Sequence, residues 1–357
     1  MMRESNFVAL FRYPKDWIDD LINEINLAKN WIYIEIYRFV NDPTGIRVRD
    51  ALVEKAKEKV KIYVLVDSYG AKSDTNFFKP LLDAGGMVRF FTPIPISLAI
   101  FSEAHRRNHR KIIIIDQISY LGSANISNYS LGWRESIFKF NDPKLANRLI
   151  YFVKLNFKHY KTYTFNQKKF HSIHNVNGME LIRDIPSIWK QRVRKKLNWL
   201  IDNANKSIQI ATPYFLPMGS TIDALIDAAT RGVYTEIYLP FRSDVNSMDV
   251  LRNYYLGKLW KAGIKIFFYL PTNLHAKLLL IDNEKYMIGS SNYDYRSYLY
   301  MHEINMLAKD PVVVNELNKY FDELKQDSNE FDYDRWRERP MLDKLIEKIL
   351  IPFRFLF

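Results

Sequence analysis

Two stretches of the chain repeat one another: NHRKIIIIDQISYLGSAN at residues 108–125 and LHAKLLLIDNEKYMIGSSN at residues 274–292. Each contains the spacing H-x-K-x-x-x-x-D, formed by His109, Lys111 and Asp116 in the first copy and by His275, Lys277 and Asp282 in the second. Residues two apart in a β-strand point to the same face, so each histidine is expected to project beside its lysine. The apolar run between lysine and aspartate predicts a strand that is buried on both faces.

The residues that follow these strands extend the pattern toward phosphate chemistry. An imidazole can attack phosphorus or transfer a proton, and a fixed ammonium group can hold a non-bridging oxygen. Serine and asparagine can donate hydrogen bonds to phosphate oxygens, and a carboxylate can orient an imidazole and stabilise its charged form. The candidates for these added roles are Ser123, Asn125 and Glu135 in the first copy and Ser290, Asn292 and Glu303 in the second.

A single motif of this kind is typical of a buried strand with an unrelated surface histidine. Two motifs, each followed by G-S-x-N and a glutamate at corresponding places in a repeat, are far rarer by chance. The paired pattern therefore predicts phosphodiester chemistry. We include Asp116 and Asp282 in the catalytic motif, although their position at the ends of strands favours a structural role.

The flanks of the two stretches repeat as well. In each half, helical patterns alternate with β-rich runs, beginning at residues 17–40 in the first half and at residues 197–214 in the second. This alternation predicts βα units, with mainly parallel strands and helices covering a sheet. We therefore expect two copies of one α/β domain packed against each other. The basic, aromatic residues 151–169 are expected to connect them as a hairpin or a partly ordered loop.

Composition narrows the classes of protein. With 357 residues, 48% apolar and 26% charged, the chain is globular rather than disordered, and the lack of cysteine excludes disulfides, thiol catalysis and cysteine-bound zinc. The net charge of +12 favours an anionic partner, either nucleic acid or an acidic lipid surface. Residues 1–13 lack the apolar core of an export signal, and no uncharged stretch is typical of a spanning helix, so we expect any action on lipid to occur from the surface.

The two motifs resemble those of the phospholipase D superfamily, and their flanks are similar to its cardiolipin synthase-like branch. The matching segments, spread over about residues 15–310, are IYIEIYRFVNDPTG, NHRKIIIID, LGWRES, ATPYFLP, LPFRSD, LHAKLLLID and GSSNYDYRS. The resemblance implies a phospholipase D-like α/β fold of two similar α/β/α halves with one active site between them. The chain departs from the branch in lacking the membrane-spanning helices with which its bacterial members often begin. It also has Gly-Ser in the first motif where many relatives have Gly-Gly.

The resemblance also implies roles for the motif residues. One histidine would form a phosphohistidine intermediate, and the other would protonate the leaving alcohol and then activate the acceptor. We assign His109 as the nucleophile and His275 as the acid and base, with the reverse assignment left open. The phosphate would be clamped and the histidines oriented by Lys111, Lys277, Asn125, Asn292, Ser123, Ser290, Glu135 and Glu303. No metal or other cofactor is expected, because two lysines supply the positive charge.

Relatives with such a site also cleave DNA or RNA, so other segments must indicate the substrate. The apolar residues 90–108, which include Arg106 and Arg107, either receive acyl chains and an anionic headgroup or form an ordinary buried connection. After Pro340, apolar residues at helical spacing lead into the terminal IPFRFLF, which favours a helix in the membrane interface over one docked on the core. Arg296 either assists phosphate binding or caps a helix. No nucleic-acid-binding module is apparent, which argues against nucleic acid as the partner.

We therefore predict a cardiolipin synthase-like phosphatidyltransferase that converts two molecules of phosphatidylglycerol into cardiolipin and glycerol. The alternatives are a phospholipase D that hydrolyses phospholipids and a nuclease of the same superfamily. The expected partners are phosphatidylglycerol and the membrane surface, contacted peripherally from the cytoplasmic side by a functional monomer. The predicted units are residues 1–165 and 166–335, with one motif each, and an amphipathic tail at residues 336–357.

Overall fold

The computed structural model describes residues 5–91, 106–161 and 172–356. Most of the apolar stretch that was predicted to receive acyl chains lies outside these residues. The predicted boundary between residues 165 and 166 lies outside them too.

The first half contains a mixed sheet with helices packed against it. Its elements in chain order are β1 (Phe7–Phe11), α1 (Pro14–Leu27), β2 (Trp31–Ile36), α2 (Pro43–Lys57), β3 (Lys61–Asp67), α3 (Lys79–Asp83), β4 (Met87–Phe91), β5 (Arg107–Asn108), β6 (Ile112–Ile115), β7 (Ile118–Gly122), a 3₁₀ turn (Asn128–Ser130), β8 (Ile137–Asn141) and α4 (Pro143–Lys158). The strand order is β1-β8-β7-β6-β2-β3-β4.

The direction of the strands differs from the prediction in part. Strands β2, β3 and β4 run parallel, as the alternation of helix and strand predicts. In contrast, β6 is antiparallel to both β2 and β7, so the prediction of mainly parallel strands is wrong on the motif side of the sheet. Only Asp116 and Gln117 separate β6 from β7, and so short a link can join only antiparallel neighbours.

The second half repeats this arrangement. Its elements are β9 (Ser172–Val176), β10 (Met179–Asp184), α5 (Arg192–Asp202), β11 (Ser207–Ala211), β12 (Phe215–Leu216), α6 (Gly219–Thr230), β13 (Tyr234–Pro240), α7 (Asn246–Lys261), β14 (Lys265–Tyr269), β15 (Leu278–Ile281), β16 (Lys285–Gly289), β17 (Tyr293–Asp294), α8 (Tyr295–Leu299), β18 (Met301–Ala308), α9 (Pro311–Gln326) and β19 (Ser328–Glu330). The main sheet has the order β19-β14-β13-β11-β15-β16-β18-β10-β9. Here too the motif strand β15 is antiparallel to its neighbours β11 and β16, while β11, β13 and β14 are parallel. The predicted duplication of an α/β unit is confirmed.

Asp-Pro pairs fix the starts of three of these helices. Asp42, Asp142 and Asp310 are the N-cap residues of α2, α4 and α9, and each side chain accepts a hydrogen bond from a backbone N–H of the first turn. The following proline has its backbone angle preset for a helix and lacks an N–H that would otherwise be unpaired. Helix α4 extends from Pro143 to Lys158. Residues 151–158 are therefore helical, and the prediction of a hairpin or loop over residues 151–169 is wrong for them.

Strand pairing joins the two halves on both sides of their junction. Strand β5 pairs in parallel with β18, where Asn108 lies opposite His302. A matching parallel bridge joins Arg134 to Leu274. Each pairing sets the residue before one catalytic-motif histidine beside the residue before the other half's glutamate. The junction is thus made by backbone hydrogen bonds as well as by side chains.

An apolar core fills the junction behind these pairings. Phe138 and Phe152 of the first half belong to the same buried cluster as Tyr320 and Phe321 of the second. Separate clusters lie on the outer side of each sheet. Burial of such large aromatic groups is worth about 1.5–3 kcal/mol each, so the shared cluster strongly favours the docked arrangement of the halves.

The C-terminal segment consists of α10 (Tyr333–Arg337), α11 (Met341–Leu350) and a 3₁₀ turn (Ile351–Leu356). The helix that the apolar spacing predicted is confirmed as α11. Three of its apolar residues are largely exposed, Leu342, Leu345 and Ile349, at 64%, 54% and 57%. Leu350 at its end packs against the outer apolar cluster of the second half, and Glu347 is buried and pairs with Arg339 at 2.6 Å. Over the residues described, no helix has the length and apolar character needed to cross a bilayer.

Candidate active site

Both histidine motifs open into one cavity of about 270 Å³ at the junction of the halves. His109 and His275 line this cavity, and both are more than nine-tenths buried. Lys111 and Lys277 are buried beside them, on the same face of the entering strands. The arrangement concentrates two imidazoles and two ammonium groups around a space large enough for a phosphodiester.

The pairings across the junction determine which glutamate meets which histidine. The backbone N–H of His109 donates to the carbonyl of His302 at 3.0 Å, and that of His275 donates to the carbonyl of Arg134 at 2.7 Å. As a result, Glu303 reaches His109 and Glu135 reaches His275. Each histidine is therefore held by the carboxylate of the opposite half. The sequence identified both glutamates, but their crossed pairing comes from the structure.

The carboxylates fix the orientation of both rings. Nδ1 of His109 lies 3.0 Å from Oε1 of Glu303, and Nδ1 of His275 lies 2.8 Å from Oε1 of Glu135. An ionised carboxylate can only accept hydrogen bonds, so Nδ1 carries the proton in the neutral ring. This tautomer leaves a lone pair on Nε2, the ring nitrogen that is free to attack phosphorus or accept a proton.

The two carboxylates differ at their second oxygen. The hydroxyl of Ser290 donates to Oε2 of Glu303, while Oε2 of Glu135 is buried and has no hydrogen-bond partner in the described part of the chain. Ser123, the equivalent of Ser290, instead contacts the backbone carbonyl and hydroxyl of Ser136. The carboxylate that holds His109 is therefore itself held by a serine, whereas the carboxylate that holds His275 is not. This difference is compatible with different chemical roles for the two histidines.

These contacts correct the predicted role of the two serines. Both Ser123 and Ser290 are fully buried, and neither lines the cavity. Their hydroxyl groups are used by the neighbouring strand, since Ile304 N–H donates to Ser290 and Ser136 N–H donates to Ser123. They support the glutamate strands and do not bind phosphate directly.

The two aspartates of the motif contact the backbone of neighbouring strands. The Asp116 carboxylate accepts from the backbone N–H groups of residues 29–31, at the beginning of β2. The Asp282 carboxylate accepts in the same way from residues 205–207, at the beginning of β11. Both lie at the end of the motif strand that points away from the histidines. Their carboxylates tie adjacent strands together, which agrees with the structural role that their position at the strand ends favours.

The lysines are held close to the rings. Lys277 Nζ donates to the His275 carbonyl at 3.0 Å and lies 3.3 Å from Nε2 of the same ring. Lys111 Nζ donates to the His109 carbonyl at 2.7 Å. Burial lowers the pKa of Lys111 well below its ordinary range and lowers the pKa of Lys277 to about 8. A bound phosphate anion would favour the charged form of both groups and would be held by them in turn.

The histidines have different electrostatic surroundings. Burial lowers the pKa of His109 well below its ordinary value, and the charges of Lys111 and Lys277 act in the same direction. Burial also lowers the pKa of His275, but the Glu135 carboxylate opposes that shift. These surroundings favour the neutral form of His109, while the Glu135 carboxylate favours the charged form of His275. This difference supports the assignment of roles predicted from the family resemblance.

Asn125 and Asn292 both line the cavity, as predicted for phosphate-binding groups. Oδ1 of Asn125 accepts from the backbone N–H of Arg38 at 3.1 Å, which leaves its amide group available to donate. Oδ1 of Asn292 is buried and has no hydrogen-bond partner among the residues described. An amide oxygen only accepts, so a hydrogen bond from Asn292 to a phosphate oxygen would have to come from its amide nitrogen, which also interacts with the Asp294 carboxylate.

Aromatic side chains around the histidines were not predicted as site residues. The Tyr37 ring lies 5.2 Å from the His109 ring, and Tyr214 lies 6.3 Å from His275. Trp133 lies 5.2 Å from His275. The repeat contained a signal for the two tyrosines, because each follows the first β-rich run of the repeated pattern, in IEIYRF and in ATPYFLP. Arg38 and Arg296 line the same cavity.

A buried polar network lies beneath the site. Arg110, between the catalytic His109 and Lys111, points to the opposite face of the strand and donates to the backbone carbonyls of Glu303 at 3.1 Å and Asp184 at 2.8 Å. The Glu35 carboxylate lies 3.4 Å from Arg110 and accepts from Asn108 at 2.9 Å. This network holds the Glu303 strand against the His109 strand. Its residues were not predicted to belong to the site.

Comparison with known proteins agrees with this geometry. A family model described as "Cardiolipin synthase, PLD-like domain" matches residues 21–168 and 197–325. The major cardiolipin synthase ClsA of Bacillus subtilis is 31% identical over 97% of this chain and 74% of its own length. The cardiolipin synthase of Oceanobacillus iheyensis is 31% identical over 99% and 73%, respectively. Phosphatidylserine synthase of Haemophilus influenzae shares the fold, with a TM-score of 0.76 at 14% identity over 98% of this chain and 95% of that one.

Proposed function

The chain belongs to the cardiolipin synthase family with phospholipase D-like domains, and we propose that it transfers a phosphatidyl group between two molecules of phosphatidylglycerol, with cardiolipin and glycerol as products. The observation that carries the proposal is the pair of buried histidines in one cavity, each oriented by a carboxylate of the opposite half. Two oriented imidazoles suit a double displacement, in which one group holds the phosphatidyl intermediate and the other moves the proton.

In the first step, Nε2 of His109 attacks the phosphorus of the donor lipid. A P–N bond forms, the bond from phosphorus to the glycerol oxygen breaks, and His275 gives its proton to that oxygen. Lys111 and Lys277 neutralise the non-bridging oxygens, and Asn125 and Asn292 donate hydrogen bonds to the same phosphate. Burial strengthens these electrostatic contacts, because the cavity offers few competing water molecules.

In the second step, His275 accepts the proton of a primary hydroxyl on the second phosphatidylglycerol. That oxygen attacks phosphorus, the P–N bond breaks, and His109 returns to its neutral form. Each step replaces one bond to phosphorus by another, so the enzyme is regenerated without any external reactant. Glu303 and Glu135 stabilise the positive charge that develops on their respective rings in the course of the reaction.

The C-terminal segment supports peripheral binding to a bilayer. In α11 the polar contact with the protein is the Arg339–Glu347 pair, while the exposed side carries Leu342, Leu345 and Ile349. A helix docked on a protein core shows the opposite distribution. The exposed Lys348 is placed to contact anionic headgroups, whereas Lys344 donates to the backbone carbonyl of Arg337. We propose that this face lies in the membrane interface; the cytoplasmic side of the membrane stays a sequence prediction.

The tail is attached to elements that border the cavity. Nε of Arg354 donates to the hydroxyl of Tyr295 at 3.1 Å, at the beginning of α8. The next residue of α8, Arg296, lines the cavity, as does Met248 of α7. Membrane attachment through the tail would therefore bring the cavity close to the lipid surface from which both substrates come.

The transferase is tested by incubating the pure protein with phosphatidylglycerol vesicles and separating the lipids by thin-layer chromatography. Cardiolipin together with glycerol is the expected result, and the His109→Ala variant is the inactive control. Phosphatidic acid as the sole lipid product would identify a phospholipase D instead. Unchanged lipid together with cleavage of single-stranded DNA or RNA would identify a nuclease.

Membrane attachment is tested separately by sedimentation with phosphatidylglycerol vesicles. The double variant Leu345→Asp, Ile349→Asp is expected to bind at least about tenfold more weakly, because two apolar contacts with lipid are lost. Leu27→Asp is the matched control, since Leu27 is 68% exposed at the end of α1. Equal binding of the double variant and the control would contradict a membrane role for α11.

A further inference from the structure

The cavity holds more positive charge than the two motif lysines provide. The guanidinium-bearing side chains of Arg38 and Arg296 line it together with the histidines. The carboxylates of Asp244 and Asp294 line the same cavity, and the charge of Arg296 acts to lower the pKa of Asp294, but Nε of Arg296 is buried without a hydrogen-bond partner among the residues described. Two arginines are thus held at the site with their charge available to a ligand.

These arginines break the symmetry of the repeat. Lysines 111 and 277 correspond to each other, as do Asn125 and Asn292, so each half contributes equally to the phosphate between the histidines. Arg38 follows Tyr37, but the residue that follows the equivalent Tyr214 is Phe215. Arg38 has no counterpart in the second half, so it is not one of the matched pairs of side chains that surround the phosphate between the histidines.

The same holds for the second arginine. Arg296 stands four residues after Asn292, and the residue four after Asn125 is Tyr129. The hydroxyl-bearing Tyr129 is 68% exposed, whereas Arg296 lies in the cavity. Each half has therefore contributed one arginine to the cavity at a position where the other half has an aromatic residue.

The two arginines act on the same part of the cavity. Burial raises the pKa of Tyr37, and the charges of both Arg38 and Arg296 oppose the shift. Arg38 has the same opposing effect on the pKa of Tyr214, which burial raises. Tyr37 and Tyr214 stand beside His109 and His275, respectively, so Arg38 is within electrostatic range of both sides of the site.

The chemistry of the reaction provides a second anion. A donor phosphatidylglycerol carries one phosphodiester charge, and its acyl esters and glycerol hydroxyls are neutral. The acceptor carries another phosphodiester, separated from its attacking hydroxyl by the glycerol bridge. Guanidinium groups bind phosphate oxygens through several fixed donors.

We propose that Arg38 and Arg296 form a second anion subsite, which binds the phosphodiester of the acceptor lipid and so brings its free hydroxyl to the phosphatidyl-histidine. The proposal rests on the transferase function given above. The acceptor oxygen then forms the new P–O bond, its proton passes to His275, and the P–N bond to His109 breaks. The subsite favours an anionic lipid alcohol over neutral alcohols and water.

The test is a competition between acceptors in one reaction. Phosphatidylglycerol vesicles are incubated with enzyme in the presence of ethanol, and the ratio of cardiolipin to phosphatidylethanol is measured. Both products arise from the same donor and the same intermediate, so the ratio reports acceptor choice and is independent of the amount of folded enzyme. In Arg38→Ala and in Arg296→Ala the ratio is expected to fall by about tenfold or more, and further in the double variant.

Two variants serve as controls. Arg296→Lys retains the charge but loses the fixed guanidinium donors, so its ratio is expected to lie between those of the wild type and Arg296→Ala. Arg47→Ala removes an exposed arginine that pairs with Asp19 on the first half, and it should leave the ratio unchanged. Where an alanine variant fails to fold, Arg38→Gln or Arg296→Gln removes the charge at similar side-chain length and gives the same measurement.

The outcomes separate the subsite from the function. A wild-type enzyme that makes cardiolipin, with an unchanged ratio in both single variants and the double variant, overturns the subsite and leaves the transferase intact. A wild-type enzyme that makes phosphatidylethanol or phosphatidic acid but no cardiolipin overturns the transferase and the subsite together. A selective fall in the ratio supports both.

Discussion

Replacing Lys277 by methionine should change how the stability of the protein depends on pH. The Lys277 ammonium group is 3% exposed, and burial lowers its pKa from 10.5 to about 8. Between these values the unfolded chain binds this proton and the folded chain does not, so the free energy of unfolding rises with pH. The slope is about 1.4 kcal/mol per pH unit, which amounts to about 3 kcal/mol over the window. Below about pH 8 both states are protonated, and Lys277 contributes no slope.

The measurement is urea unfolding of the wild type and Lys277→Met, followed by circular dichroism from pH 7 to 10.5. Groups that do not interact with Lys277 titrate alike in both proteins and cancel in the difference, so the wild type should gain about 3 kcal/mol relative to the variant across the window. Lys111 adds to this gain, because Lys277 contributes to lowering its pKa. Parallel stability curves would refute the argument that an uncompensated charge is buried here.

The loss of the Lys277 proton should also affect the pH dependence of activity. The charged form of Lys277 holds a phosphate oxygen in the proposed mechanism, so kcat/KM for phosphatidylglycerol is expected to fall above about pH 8. The corresponding fall in kcat should occur at higher pH than the fall in kcat/KM, because a bound phosphate favours the ammonium form of Lys277. A kcat/KM that stays flat to pH 10 would show that the charge of Lys277 is not used.

Three further predictions concern the two histidines, the Glu303 carboxylate that contacts His109 from the other half, and the buried Arg110–Glu35 pair beneath the site. His109→Ala and His275→Ala should each abolish turnover with unchanged circular dichroism, and retained activity in either contradicts the two-histidine mechanism. Glu303→Gln should lower kcat by about 10²-fold or more with little effect on KM, measured by initial rates, because the ring of His109 loses the carboxylate charge that stabilises its cationic form. Arg110→Met should cost about 3 kcal/mol in urea unfolding by removing the guanidinium group that pairs with the buried Glu35, which then keeps only neutral donors such as Asn108. The double variant Arg110→Met, Glu35→Met should recover part of that loss, and a fully stable single variant would show that the pair is not needed.

Much of the fold was accessible from the sequence because its signals are local. The spacing of His109 and Lys111 along one strand, the apolar run after them and the repeat of both features at His275 indicated a duplicated α/β fold. The Asp-Pro pairs at helix starts are signals of the same kind, since they depend on a few adjacent residues. Features that depend on short-range geometry could be predicted before the structure was known.

The features that escaped prediction depend on contacts between distant residues. Glu303 and Glu135 follow their own motifs in sequence, and nothing in that spacing indicates that each would meet the other half's histidine. The direction of β6 was missed because the alternation of helix and strand gives no information about a hairpin. Ser290 was assigned to phosphate from its residue type alone, whereas its hydroxyl is used by Glu303.

The crossed pairing of histidines and glutamates also governs how the enzyme comes into being. During synthesis, the first half emerges with His109 but without Glu303, whose strand is made only near the end of the chain. A nascent or truncated chain that folds its first half alone therefore lacks an oriented nucleophile. The site with both histidines oriented by carboxylates is therefore complete only after β18 of the second half has been synthesised and has paired with β5.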